Sequence, residues 1–156
     1  LASGAQLRLY AAVVGAADLR SADGDMDLYP FIQVVCQDQC RRTRTHRGGG
    51  AEPLWNQRLS FVLSAGTSHI SVCCQEEESL STAVLVGTNE RVSLDELLQM
   101  SVGSTCTLNV PLSNSYGMAA GMVVVKVSLA VAPSRSSTHA MASQRGLVQI
   151  VALCAE

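Results

Sequence analysis

The sequence predicts an all-β fold, a sandwich or barrel of short antiparallel strands, and three observations predict it. Apolar residues recur at period two along several runs, while helical period is nearly absent. Turn signals separate those runs: Asp23-Gly24, the triple glycine at 48–50, Ala65-Gly66-Thr67 and Asn114-Ser115-Tyr116-Gly117. Hydrophobic residues make up 47% of the chain but aromatics only 4%. The core must therefore come from Val, Leu, Ile and Ala, and the β-branched part of that set favours strands.

The elements follow in order. Leu7, Leu9, Ala11 and Val13 alternate with Arg8, Tyr10 and Ala12, giving a first strand with one apolar face. Leu59, Phe61 and Leu63 repeat the pattern, as do Ile70, Val72 and Cys74, and then Cys106, Leu108, Val110 and Leu112. The last clear run puts Val123, Val125, Val127, Leu129 and Val131 on one face, opposite Lys126 and Ser128. One segment departs from period two. Ser93-Leu94-Asp95-Glu96 has the form of a capping box, and Leu94, Leu97 and Leu98 then make a short stripe, so a brief helix is expected near 94–100. Residues 1–132 read as the sandwich and 133–145, opening Pro133-Ser-Arg-Ser-Ser-Thr, as a linker. Residues 146–156 read as an apolar tail, an extra edge strand or the opening of a neighbouring segment.

Composition narrows the function. A chain of 156 residues can bury a substantial single core. Its net charge of −2 is at odds with a generally basic nucleic-acid binder. No run approaches eighteen uninterrupted apolar residues, so no membrane span is expected. The chain opens Leu-Ala-Ser-Gly without Met or a signal pattern, which reads as a piece of a longer protein. Six cysteines, at 36, 40, 73, 74, 106 and 154, form no CxxC pair and no zinc-finger spacing. Used as small apolar residues they suit a reducing compartment, so the expected localisation is cytoplasmic, compatible with peripheral attachment to membrane or cytoskeleton.

The order of elements resembles the C2 domain, the conserved-region-two domain of protein kinase C, over roughly residues 6–131. Val13-Val14-Gly15-Ala16-Ala17-Asp18-Leu19 is similar to the family's opening strand, with Asp23 four residues past the Leu where the family places an Asp. Leu28-Tyr29-Pro30-Phe31-Ile32-Gln33-Val34 resembles its S-D-P-Y-V-x-V block. Glu52-Pro53-Leu54-Trp55-Asn56-Gln57-Arg58-Leu59-Ser60-Phe61 resembles its N-P-x-W-N-E-x-F-x-F signature, and the Pro-x-Trp-Asn core is the most specific match. Val86-Gly87 looks like the Ile-Gly after the third loop, and the short helix falls where the family has one. The resemblance implies an eight-stranded antiparallel β-sandwich in the circularly shifted, phospholipase-type topology. It also implies function at the loops of one end, where many members hold calcium between five aspartates and a membrane.

Here that carry-over mostly fails. Calcium takes six to eight oxygen ligands. Asp23 matches the first aspartate, but the second is Tyr29, the third and fourth fall on Cys74 and Glu76, and the fifth lands near Thr82 or Val84. Two acidic residues of five are too few for a cage. Asp18, Asp23, Asp25, Asp27, Glu76, Glu77 and Glu78 still gather near the presumed loop end. Asp23, Asp25 and Asp27 also imitate the opening of an EF-hand loop, but Leu28 stands where its glycine belongs and Val34 where its closing Glu belongs. The expected cofactor is none, with a loose calcium site at Asp23, Asp25, Asp27 and Glu76 as the competing reading. Met26, Leu28 and Leu80 are apolar candidates for the loop tips.

Arg41-Arg42-Thr43-Arg44-Thr45-His46-Arg47 places four of the eleven basic residues in seven positions. On a regular strand Arg42, Arg44 and His46 would share one face. The resemblance implies a cationic groove for inositol phospholipids here, and arginine forks suit phosphate; the competing reading is an edge kept soluble by charge. No nucleophile has a base suggested by spacing, and no phosphate loop, hydrolase elbow or zinc motif occurs. The expected function is a non-catalytic, calcium-independent interaction module of a larger protein, docking to another protein or to itself. The alternatives are peripheral binding to anionic phospholipids through Arg41, Arg42, Arg44, His46 and Arg47, and weak calcium-dependent phospholipid binding.

Overall fold

The computed structural model describes residues 5–21, 29–48, 50–79 and 82–133. The 146–156 tail and nearly all of the expected linker lie outside the described residues, as do Asp23, Asp25, Asp27, Met26, Leu28 and Leu80. Eight strands and one short helix follow in the order β1 (Ala5–Ala17), β2 (Pro30–Cys36), β3 (Gln39–Arg42), β4 (Leu54–Leu63), β5 (His69–Ser79), β6 (Thr82–Ser93), α1 (Asp95–Gln99), β7 (Thr105–Ser113) and β8 (Ala119–Pro133).

The strand order is β3-β2-β5-β6-β7-β8-β1-β4, with every pairing antiparallel. The β6–β7 link is a single pair, Thr88 with Ser113, so the strands divide into two four-stranded sheets, β3-β2-β5-β6 and β7-β8-β1-β4. The first strand lies inside a sheet, between the last strand and β4. That is the circularly shifted arrangement expected from the sequence.

The period-two runs become the core. Leu9, Ala11, Val13, Phe61, Val72, Cys74, Val123, Val125 and Val127 are fully buried and meet between the two sheets. Two expectations shift. Val131 continues the apolar face of β8 but is half exposed, because β8 runs past the packed region towards the end of the sandwich. The helix buries Leu97 on the core while Leu98 faces solvent. The capping box also differs: the Ncap residue is Leu94, and Ser93 Oγ accepts from the Asp95 N–H at 3.1 Å rather than exchanging bonds with Glu96.

The Pro-x-Trp-Asn segment has a structural task. Between Val13 and Gly15 the β1–β4 register slips, and Asn56 sits at φ 47°, a left-handed conformation that Asn tolerates better than most residues. The slip is a β-bulge, which bends a strand and re-aims its side chains. Trp55 is aimed inward, and its Nε1–H donates to the Pro30 carbonyl of the opposite sheet at 3.3 Å. Gly15 permits the close approach: a Cβ there would sit 2.7 Å from the Pro53 oxygen.

Odd-numbered strands run one way and even-numbered strands the other, so the β1–β2, β3–β4, β5–β6 and β7–β8 connections share one end. The helix lies at the opposite end, on the β6–β7 connection. Trp55→Ala should cost about 3–5 kcal/mol in urea unfolding, while Trp55→Phe, which keeps an aromatic ring in the core and leaves the Pro30 carbonyl its bond from His46 N–H, should cost about 1–2 kcal/mol.

Candidate functional site

The regular strand of the basic segment stops at Arg42. Beyond it the chain stays beside β2: Thr43 N–H donates to the Ile32 carbonyl at 2.8 Å and His46 N–H to the Pro30 carbonyl at 2.9 Å. Thr43 is buried, with its hydroxyl accepting from Ile32 N–H at 3.0 Å and donating to the Arg44 carbonyl at 2.9 Å. This corrects the expected shared face of Arg42, Arg44 and His46. A β-strand alternates faces only while its ladder is regular, and the Thr43 side-chain bonds replace part of that ladder.

The basic side chains consequently diverge. Arg42 lies over the outer face of its own sheet, its guanidinium carbon 3.6 Å from the Phe31 ring centroid, which closes that ring off from solvent. Its Nε–H donates to the Thr43 carbonyl at 2.9 Å and an Nη2–H to Thr45 Oγ1 at 2.9 Å. Arg44 turns across to β4, where Nη2–H donates to the Trp55 carbonyl at 2.8 Å and its backbone N–H to Gln57 Oε1 at 2.8 Å. His46 Nδ1 lies 3.2 Å from the Leu54 carbonyl and donates to it in the tautomer protonated there. Arg41, exposed, bonds the Cys40 carbonyl at 3.1 Å and approaches the Phe61 ring at 5.9 Å. Arg47, 69% exposed, pairs with Glu77 at 3.5 Å.

A second seam lies just below. Gln39 Nε2 donates to the Val62 carbonyl at 2.6 Å, and Val62 N–H donates to Gln39 Oε1 at 2.8 Å, a reciprocal amide pair between the edge strands of the two sheets. Arg44, His46 and Gln39 therefore close the sandwich along its β3–β4 side. Sequence reasoning treated Arg44 and His46 as free ligands, whereas both are engaged with β4 carbonyls.

Sequence reasoning also missed the outer face of β3-β2-β5-β6. Gln33 Nε2 donates to Cys40 Sγ at 2.7 Å, and Gln75 Nε2 to Gln33 Oε1 at 3.2 Å and to Cys73 Sγ at 3.7 Å. The result is an uncharged ladder of amides and thiols, bordered by Arg42 on Phe31. The signal was present in the alternation of Gln33 and Gln75 against the buried Ile32 and Cys74, but polar residues on the outer face of a strand usually just meet water.

The described positions that the sequence matched to the family's calcium ligands are Tyr29, Cys74, Glu76, Thr82 and Val84, and the structure corrects one of them: Cys74 is not at the loop end but in the middle of β5, paired with Ile32 and Gly87. Tyr29, Thr82 and Val84 supply no carboxylate and are exposed. Cys74 is fully buried in the core; burial first, then Cys73 and Glu76, push its thiol far above the ordinary range. Glu76 is buried and accepts from Ser21 Oγ at 3.4 Å. This donor set does not fit a hard cation that demands many oxygens. Nor is Cys74 an activated nucleophile, because activation requires a lowered pKa.

An eight-stranded antiparallel sandwich in the shifted topology, with four connections gathered at one end, defines the class of fold. The chain belongs to the C2 domain family, whose match runs over residues 7–108. It is 31% identical over 58 residues to the 16 kDa phloem protein 2 of Arabidopsis thaliana, a match spanning 37% of this chain and 40% of that relative's length. A solved C2 domain-containing protein superposes with a TM-score of 0.65 at 22% identity, over 82% of this chain and 91% of the other. The C2A domain of a plant extended synaptotagmin 1 gives 0.64 at 17% identity, over 81% and 94%. These structural likenesses establish the fold. Among the described residues no helix is long and apolar enough to cross a membrane.

The Thr45 hydroxyl, which bonds Glu77, is the main cause holding the Glu77 carboxyl below its usual range; burial opposes it, and Arg47 and Arg42 assist. A depressed folded pKa contributes stability that is complete above the unfolded value of about 4.3 and fades as pH falls through the folded value. Glu77→Gln should therefore melt earlier than the parent at neutral pH, and the gap should close in acid, where Glu77 is protonated in both states. Thermal melts across that range check it.

Proposed function

We propose that this domain is a non-catalytic, calcium-independent docking module that attaches a larger protein to another protein or to a second copy of itself. The observation carrying this reading is the shortage of carboxylates at the described loop end: Tyr29, Thr82 and Val84 offer none, and Cys74, in the middle of β5, is packed in the core. Recognition then falls to a prepared surface. The outer face of β3-β2-β5-β6 offers amide donors and acceptors at Gln33 and Gln75 beside a guanidinium stacked on Phe31. Neutral amides and a stacked arginine suit a protein surface, where arginine is enriched and direct hydrogen bonds set register.

The test places a photo-crosslinking side chain at Gln75 in cells. Adducts with a partner or with a second copy should form equally with calcium chelated and with calcium supplied. Adducts that appear only with calcium would contradict the proposal.

One observation favours a second reading, peripheral attachment to an anionic membrane: the Arg41 and Arg47 side chains remain at the surface. Each cation near an anionic leaflet contributes roughly 1 kcal/mol. On this reading, phosphoinositide vesicles pellet the domain at low salt, and Arg41→Glu with Arg47→Glu lowers binding about tenfold or more. These two substitutions leave the Arg44 and His46 contacts with β4 untouched, so a loss reports on the surface and not on the seam. Unchanged pelleting would remove this reading.

A further inference from the structure

The two sheets differ in charge. β1, β4, β7 and β8 contain Arg8, Arg58 and Lys126 but no Asp or Glu, whereas β5 and β6 carry Glu76, Glu77, Glu78 and Glu90. The three cations stand on the outer face of their sheet, because the residues beside them, Leu9, Leu59, Val125 and Val127, are buried in the core. Arg58 and Lys126 are exposed and Arg8 is half-buried. Among the described residues the one ion pair is Arg47 with Glu77, beside the other sheet, so no described carboxylate neutralises this face.

Register sets the spacing of the cations. Arg58 on β4 and Lys126 on β8 both lie opposite Ala12 of β1, one on each side. Their backbones are about 10 Å apart, two strand spacings, with only a methyl group between them. Next along β1 on the same face is Tyr10, between Ser60 and Ser128, and the Arg58 guanidinium carbon lies 4.4 Å from its ring centroid. Arg8 follows, about 13 Å from Ala12 along the strand.

We propose that the outer face of β7-β8-β1-β4 seats an extended acidic segment of a partner protein, whose carboxylates, four residues apart, are held by Arg58 with Lys126 and by Arg8. An extended segment rises at the same rate as β1 and turns alternate side chains to one side. Its first carboxylate sits over Ala12 between two cations, the side chain two residues on rests against Tyr10, and the second carboxylate reaches Arg8. Charge-assisted bonds from guanidinium and ammonium groups to carboxylates are the strong kind. Tyrosine and arginine are enriched where protein surfaces bind, and a guanidinium already stacked on a ring loses little freedom on contact. An anionic leaflet reads charge without register and also meets the chain's net charge of −2; a short segment meets this face alone.

The experiment titrates the full chain with a labelled serine peptide carrying two glutamates four residues apart, followed by amide NMR and fluorescence anisotropy. The amides of Tyr10, Ala12, Arg58 and Lys126 should move together and saturably, and added salt should weaken binding. Arg58→Gln with Lys126→Gln should lower affinity about tenfold or more, whereas Arg41→Gln with Arg47→Gln leaves it unchanged. All four replaced side chains are exposed, and urea unfolding confirms that both variants are folded. The peptide supplies a second test that leaves the protein untouched. Glutamine in place of both glutamates should abolish binding, and glutamates placed next to each other, which face opposite sides of an extended chain, should bind more weakly. Stationary amides, equal binding of the glutamate and glutamine peptides, or parent affinity in the Arg58–Lys126 variant would each overturn the proposal. Phosphatidylserine vesicles that bind through Arg58 and Lys126 while the peptide does not would overturn it too. The Gln75 crosslink probes the opposite sheet, so failure here leaves that test of the docking face unaffected.

Discussion

The structure depends on how its two sheets are fastened along the β3–β4 side. Two stacked sheets cover each other's apolar faces, but their edges still expose unpaired backbone groups. Here the edge strands belong to different sheets, and regular pairing cannot join them. Side chains do it: Gln39 exchanges two bonds with Val62, Arg44 takes the Trp55 carbonyl, and His46 takes the Leu54 carbonyl. From the opposite direction Trp55 reaches β2 through the Pro30 carbonyl. The bulge at Asn56 makes that reach available.

That fastening changes what the basic segment can do. A run of four arginines and a histidine reads as a cationic strip, yet its members have separate tasks. Arg44 and His46 bind the neighbouring sheet, Arg42 covers Phe31, and Arg47 faces Glu77. Arginine suits this because its planar fork can stack and donate at once. The strip that remains for an outside ligand is narrower than the sequence implies, and the proposed docking face shifts to the amide ladder beside it.

The fold was legible in the sequence because its signals were periodic. Leu9, Ala11 and Val13, or Val123, Val125 and Val127, could only be buried by alternation, and the Pro-x-Trp-Asn segment marked β4 independently. The site was legible only in part. The departure of Tyr29 from the family's carboxylate pattern is plain in the sequence, but the place of Cys74 in the middle of β5 was not. Nor was the division of labour among the arginines, because it follows from Thr43 ending the β3 ladder, and that depends on contacts with Ile32. Gln33 and Gln75 were hidden for another reason: their alternation with Ile32 and Cys74 marks an outer face, and polar residues there usually just meet water.

The central claim is that recognition by this domain needs no divalent ion at its loop end. Backbone amide NMR during a calcium titration tests it most directly, since every loop residue reports separately. The account predicts that the amides around Asp23, Glu76 and Ser21 stay in place up to millimolar calcium, the weak end of protein calcium affinities. Saturable movement of those amides together would contradict it.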